Sequence, residues 1–332
     1  DPIQIRGRSL MKSKALLGLL ADGQFHSGES LASSLGISRT AIWKQIRRAS
    51  EEGVRIETIR GKGYRLLSDM DLLEAERITQ GLTPGCRSRV ELTVLDEVDS
   101  TNAEIVRRRT RSDSGRIPVC IADCQTAGRG RRGRPWQSPQ GQNLYLSLGL
   151  TFRGSFAMLD GLSLVLGVAV AEALEQQGVA GVGLKWPNDI FLGGSKLAGI
   201  LVELQGELEE GVVQVVAGIG LNVHMKEATG VDQSWSSLDI AMPERRWSRS
   251  ELAASLVNSV LDSVDEFASQ GFVGFRSRWQ SRDIFSGKAL VASQGGLAGN
   301  GYGIDDTGNY LIDDGKELVR VRAGEISLRV RP

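Results

Sequence analysis

The chain of 332 residues balances 40 Lys or Arg against 40 Asp or Glu and is 41% hydrophobic and 24% charged. That composition excludes a disordered or collagen-like chain and allows two or three domains, each burying its own core. The longest strongly apolar run, Leu162 to Ala171, is bounded by Asp160 and Glu172 and falls far short of the roughly 18 residues that span a bilayer, so no membrane role is expected.

Asp1 to Leu10 lack an apolar signal-peptide core and read as an appended remnant before a native start at Met11, which sets residues 1–11 apart from the fold. From Lys12 to Leu67 there are ten Lys or Arg against five Asp or Glu, about +5, which leaves an acidic excess beyond. One end is built for an anion. Within it, Lys14 to Ala21 and Gly28 to Leu35 have helical apolar spacing, Gly36 to Ser38 make a turn, and Ser38 is a good N-cap for a helix through Glu52. This is a helix-turn-helix, with Ser38, Arg39, Thr40, Trp43 and Lys44 where a recognition helix meets base edges. Val54 to Thr58 and Tyr64 to Leu67 then flank a glycine-rich hairpin with Arg60 and Lys62 at its tip, a wing. A small basic cap without a DNA role is the plainer reading of the same residues.

Asp71 to Gln80 read as a helix, Val90 to Leu95 as a strand, and Asp99-Ser100-Thr101-Asn102 as the capped start of another helix. Strands follow at Val119 to Asp123 and Asn143 to Leu150, with a buried helix from Leu159 to Gln177 and a strand from Gly183 to Trp186. Lys185 to Asp189 then form a sharp turn. A hairpin runs from Ile190 through Gly193-Gly194-Ser195 to Ile200; Leu201 to Leu204 and Val212 to Ala217 continue the sheet, and Gly218 to Asn222 close it as a turn. After Ser286, short strands are separated by Gly295-Gly296, Asp306 to Asn309 and Asp314-Gly315. Cys86, Cys120 and Cys124 have no CxxC spacing and no histidine neighbours, which argues against a disulfide framework or zinc site and fits a reducing cytoplasm. His26 and His224 are the only histidines and no G-x-S-x-G occurs, so triad and metallohydrolase chemistry are disfavoured; His224 reads as a satisfied loop residue.

The most informative segment joins the strands near Val119 and Asn143. Gly128, Arg129, Gly130, Arg131, Arg132, Gly133 and Arg134 put four guanidinium groups on a mobile backbone. The glycines formally satisfy G-x-G-x-x-G, but Arg134 and Pro135 stand where a Rossmann helix would begin, and they replace the Lys and Ser/Thr of a P-loop. A solvated or RNA-binding basic patch is the bland reading. Otherwise the segment closes on a polyanion such as a nucleotide.

Taken together, Asp99 to Asn102, Gln125 with the Gly128 to Arg134 loop, Trp136, Asn143 to Ser147, Lys185 to Asp189, Lys196 to Glu203 and Gly324 to Arg329 resemble the bifunctional biotin protein ligase / biotin operon repressor family. The resemblance covers nearly the whole chain, in family order. It implies a multidomain α+β protein: a winged helix-turn-helix over 12–68, a central mixed α/β class II synthetase-like domain over 69–284, and a C-terminal SH3-like β-barrel over 285–332. It also implies an ATP-dependent, AMP-forming ligase that makes biotinyl-5′-AMP with Mg²⁺ and passes biotin to a lysine of a biotin carboxyl carrier protein. With the adenylate as corepressor, a homodimer would occupy operator DNA of biotin genes.

By the same resemblance, Ser100, Thr101, Asn102, Gln125, Arg129, Gly130, Arg131 and Lys196 hold biotin, with Lys196 and Arg131 catalytic. Gly128, Arg132, Arg134, Trp136, Lys185, Asn188, Asn222 and Trp235 hold the adenylate; no metal ligands are assigned. Thr126, Pro135, Gln137 and Gln140 depart from the family pattern. Alternatives are a ligase with a nonfunctional DNA-binding domain, a small-molecule-sensing regulator without ligase activity, and a lipoate or octanoate transferase.

Overall fold

A computed structural model describes residues 15–330 except 52, 53, 55, 68–70, 112–114, 155, 210, 229, 294, 295 and 323–327. The expected remnant and start over residues 1–11, and the Gly324 to Ser327 part of the family motif, lie outside the described residues. The chain divides into two compact units, Asp1–Leu72 and Leu73–Pro332.

In the first unit, helix α1 (residues 15–20), α2 (Gly28–Leu35) and α3 (Arg39–Glu51) precede a hairpin of β1 (Ile56–Ile59) and β2 (Gly63–Leu66). Ser27 and Ser38 cap the second and third helices, each side-chain oxygen accepting from an amide three residues on, Ser30 and Ala41; such caps contribute ~1 kcal/mol each. Gly36, at φ 63°, supplies the left-handed turn between α2 and α3. Leu16, Leu20, Leu31, Ile42, Ile46 and Leu66 form the core.

The second unit opens with α4 (Ala75–Gly81) and α5 (Pro84–Arg89). The expected helix over Asp71 to Gln80 thus starts later, and a second short helix follows, started by Pro84 at its first position and the Thr83 hydroxyl at its cap. There follow β3 (Val90–Leu95), α6 (Thr101–Arg111), β4 (Ile117–Ala122), β5 (Leu144–Arg153), α7 (Leu162–Gln176), β6 (Val182–Lys185), β7 (Asp189–Leu192), β8 (Ser195–Glu209) and β9 (Val212–Leu221). These strands make one mixed sheet in the order β3-β4-β5-β9-β8-β7-β6, with β3 and β4 parallel and the rest antiparallel. The expected turn at Gly218 to Asn222 is instead the end of β9, paired with β5 and β8 as far as Leu221. Glycine there marks close approach rather than chain reversal.

A short helix α8 (Leu238–Ala241) leads to α9 (Arg249–Gln270) and α10 (Val273–Gln280). Helix α7 is apolar nearly all round because it lies between the sheet and α9: Leu164, Val165, Val168, Val170 and Ala171 are buried together with Leu252, Leu256, Val260 and Leu261. Each such aliphatic side chain withdrawn from water is worth ~1.5–3 kcal/mol.

The chain ends in a five-stranded antiparallel sheet of β10 (Ala289–Ala292), β11 (Ala298–Ile304), β12 (Tyr310–Asp313), β13 (Leu318–Val321) and β14 (Leu328–Val330), ordered β13-β12-β11-β10-β14. Among the described residues this order has two ends, so the SH3-like part stands as an antiparallel sheet, without a closing strand pair. Tyr310 ties it to the larger core, its ring beside Trp186, Trp279 and Phe285 and its hydroxyl donating to Asp283 at 2.7 Å.

Candidate functional site

The register of the seven-stranded sheet defines a floor. Tyr145, Ser147 and Gly149 of β5 pair with Gly220, Gly218 and Val216 of β9, and these pair with Gly199, Leu201 and Glu203 of β8. Opposed residues share a face, so this face carries four glycines around Ser147 and Glu203, and helix α6 packs at its side through Ile105 against Cys120 and Val216. A methyl group on Gly218 would meet Asn102 Oδ1 at 2.3 Å, and one on Gly220 would meet the Trp136 indole at 2.6 Å. The glycines make room for these two side chains.

A continuous hydrogen-bonded chain crosses the floor. Ser147 Oγ lies 2.7 Å from Thr101 Oγ1 and 2.6 Å from Asn102 Oδ1. Asn102 Nδ2 donates to Glu203 Oε2 at 2.6 Å, and Glu203 Oε1 accepts from Arg129 Nη2 at 3.2 Å. On the other branch, Gln125 Oε1 accepts from the Thr101 amide (2.9 Å) and hydroxyl (3.1 Å), while Gln125 Nε2 donates to Ser138 Oγ. Ser100, Thr101 and Asn102 are each only 4% exposed, at the N-terminus of α6, where helix amides favour electronegative groups.

The arginine segment folds back on itself over the floor. Trp136 N donates to Gly128 O and Gly130 N to Arg134 O, a small bridge between Arg129 and Pro135. Among the described residues the Arg129 amide has no acceptor, whereas that of Gly130 is already taken. Arg132 takes a left-handed conformation at φ 58°, an uncommon one for a residue with a Cβ. Arg131 reaches inward, Nη1 donating to Asn188 Oδ1 at 3.0 Å, and burial pulls its pKa down. Arg132 and Arg134 stay exposed.

Lys196 sits on β8 beside this loop, Nζ 2.8 Å from Asp189 Oδ1 and 5.3 Å from the Trp136 ring centroid. Its main chain is held too: Lys196 N donates to Ser234 O, and Ser236 N to Lys196 O, which places Trp235 alongside. Asn222 Nδ2, one residue past the end of β9, donates to Ser236 O and fastens the same segment. Asn188 spans from the loop to β8 by donating Nδ2 to Ile200 O. Lys185 lies at the margin, 5.2 Å from the Phe191 ring and 5.7 Å from that of Phe285, and burial lowers its pKa, countered by Asp189. His224 pairs with Asp239 at 3.1 Å. The Trp136 indole nitrogen is buried without a hydrogen-bond partner, so the slot keeps an unused donor.

The expected biotin and adenylate residues thus converge on one face, apart from the outward Arg132 and Arg134 and the marginal Lys185. Asp189, expected with Lys185 to organise ATP or its metal, belongs to the same constellation; so do Ser147, Glu203 and the floor glycines, which were not anticipated as site residues, and the alternation of β5, which puts Ser147 opposite a leucine-rich face, was the available signal for the first.

The residues expected to meet DNA lie in the first unit. Arg39, Thr40, Trp43 and Lys44 are exposed on the first turns of α3, with Trp43 49% exposed and the Arg47 guanidinium 5.6 Å from its ring centroid. Arg60 and Lys62 are exposed on the β1–β2 turn, and Lys62 lies 5.9 Å from the Phe25 ring.

Two family models match, an HTH domain over residues 12–65 and the biotin/lipoate A/B protein ligase family over residues 96–222. The chain is 40% identical to the bifunctional ligase/repressor BirA of Escherichia coli strain K12, over 95% of this chain and 96% of that protein. It is 30% identical to the protein of the same name from Bacillus subtilis strain 168, over 93% and 95% respectively. Among solved structures, a biotin protein ligase from Aquifex aeolicus in complex with biotin and ATP matches 73% of this chain and 99% of its own, with a TM-score of 0.63 and 30% identity. The chain belongs to the bifunctional biotin protein ligase/repressor family.

Proposed function

We propose that this protein couples biotin to ATP as biotinyl-5′-AMP, transfers biotin to a lysine of a biotin carboxyl carrier protein, and represses biotin genes as an adenylate-loaded dimer on operator DNA. The observation that carries the reading is the polar chain from Ser147 to Arg129, set over a glycine floor beside Lys196 and Trp136. In the first step a carboxylate oxygen of biotin bonds to the α-phosphorus and pyrophosphate leaves. In the second, the acceptor amine attacks the acyl carbon, the acyl–phosphate C–O bond breaks, AMP leaves with the electron pair, and the amine loses a proton. Neither step needs a nucleophile from the protein. Both need charge neutralisation, alignment and exclusion of water.

Ser100, Thr101, Asn102, Gln125 and the Arg129 amide suit the ureido head of biotin, which offers one carbonyl acceptor and two N–H donors. The Arg129 N–H, without an acceptor among the described residues, would serve that carbonyl; Gly130, with its amide occupied by Arg134 O, contributes space. Lys196 and Arg131 are positioned to receive the carboxylate and α-phosphate charges. Trp136, Asn188, Asn222 and Trp235 form the adenylate cover, and Gly128, Arg132, Arg134 and Lys185 complete it on closure. Magnesium arriving with the triphosphate would screen phosphate charge. Asp189 fits as its one protein carboxylate, in keeping with an ion held largely by nucleotide oxygens. The functional divisions are 12–68, 69–284 and 285–332, and the cytoplasm, where carrier and operator reside, is the compartment of action.

The direct test incubates the protein with Mg-ATP, labelled biotin and a biotin-carrier domain, with lipoate in parallel. Label on the carrier from biotin alone supports the ligase; transfer of lipoate instead, or no transfer, overturns it. For the regulatory half, Arg39→Ala is expected to weaken DNA binding ~10-fold or more and, where Arg39 meets a phosphate, to flatten the salt dependence by ~0.9, with biotin transfer unchanged. Equal loss of both activities in that variant would refute the division of labour.

A further inference from the structure

The segment that carries Gln125, the arginines and Trp136 leaves the sheet after β4 and returns at β5, where the last paired residues are Ala122 and Tyr145. Its two ends are Asp123 and Asn143. Asp123 N donates to Leu95 O, and His224 N donates to Gln142 O. These backbone bonds tie each end to a different neighbour, and between the two ends runs a single long bond, Gly141 N donating to Asp123 O at 3.4 Å. One side-chain nitrogen adds to that backbone link: Arg249 Nη1 donates to Asp123 Oδ1 at 2.7 Å and to Asn143 O at 3.1 Å. The side chain of Arg249 is 0% exposed and that of Asp123 is 14% exposed.

Arg249 is, moreover, the first residue of α9, just after its Ser248 cap. A cation there opposes the helix dipole, and a buried guanidinium carries a large desolvation cost. Two local penalties at one residue point to a requirement set elsewhere. What Arg249 touches is the pair of stems from which the whole loop springs.

We propose that Arg249 is a positioning residue for the ligase reaction, a clamp that fixes the spacing of Asp123 and Asn143 and so the register of the 124–142 loop over Lys196. This rests on the ligase reading for its kinetic consequence but not for its structural one. Without the clamp the stems beyond the Ala122–Tyr145 pair keep only the long Gly141–Asp123 bond, Gln125 and Trp136 shift from their places, and a displacement of about 1 Å at the reacting groups costs ~10²-fold in rate.

The experiment compares the full-length protein with Arg249→Met, Arg249→Lys and the double variant Asp123→Asn/Arg249→Met, reading thermal melting, hydrogen exchange of residues 124–142, and kcat and KM for biotin. Arg249→Met leaves Asp123 buried without its partner, so it is expected to melt earlier, to exchange faster throughout 124–142, and to lose ~10–100-fold in kcat/KM. The double variant removes both charges and should regain melting temperature but neither loop protection nor kcat/KM; Arg249→Lys, which can meet only one stem well, should fall between. If the double variant recovers kcat/KM along with stability, Arg249 merely balances a buried charge and the proposal fails. It fails equally if folded Arg249→Met protein keeps wild-type loop protection. Because hydrogen exchange is read without any substrate, a protein inactive toward biotin would refute the ligase reading and leave the clamp standing.

Discussion

Lys196→Ala is expected to lower biotin-dependent exchange of pyrophosphate into ATP by ~10²–10³-fold, about 2.7–4 kcal/mol of lost transition-state stabilisation, while leaving the protein folded. The Lys196 side chain is only 13% exposed, and its ammonium lies between the Asp189 carboxylate and the Trp136 ring. In such surroundings a fixed charge acts more strongly than it would in water. Two anions, a carboxylate and an α-phosphate, must meet for the first bond to form, and a cation held beforehand needs no reorganisation at that moment. Truncation removes the ion-pair partner of Asp189, at 16% exposure, and leaves it only the more distant charges of Lys185 and Arg131; the resulting destabilisation of ~1–3 kcal/mol should appear as a modest drop in melting temperature. Near-normal exchange in a folded Lys196→Ala protein would remove the residue from the chemistry.

Gly220→Ala should be nearly as damaging, though it alters no polar group. Its new methyl would stand 2.6 Å from Cε2 and Nε1 of Trp136, and backbone on both neighbouring strands prevents retreat. Trp136 must rise, and since its amide is bonded to Gly128 O, the arginine loop rises with it. The expected outcome is a ~10²-fold fall in kcat/KM for biotin and ATP at little change in stability. Gly167→Ala in α7 is the matched control, because there the methyl meets Leu184 at 3.6 Å, an ordinary contact, and removing a glycine from a helix interior gains ~0.5–1 kcal/mol. An active Gly220→Ala variant would show that Trp136 need not lie flat on the sheet.

Much of this molecule is written locally. Ser38 announces its helix, the arginines with their glycines announce a cationic loop, and the alternating leucines of β5 announce a strand, which is buried on both faces from Leu144 to Leu150. Those signals depend on neighbours within a few positions. The elements that organise the site do not. Glu203 meets Arg129 across 74 positions, and Arg249 meets Asp123 across 126; in sequence each is one charged residue among many. The glycines of β9 were read as a turn because glycine favours turns, whereas strand register gives them the opposite task of keeping a surface bare. Cys120 shows the converse: at 0% exposure its thiol is pushed up to about 12 by burial, so it serves as packing under α6.

The two main-chain bonds that Lys196 makes with Ser234 and Ser236 are independent of its side chain. Alanine at this position therefore keeps the strap of residues 234–236 laced to β8. A slow enzyme with an intact strap is a trapping tool: Lys196→Ala should hold unreacted biotin and nucleotide side by side long enough for crystallisation or for mass spectrometry of the ternary complex, a state that the unaltered protein consumes.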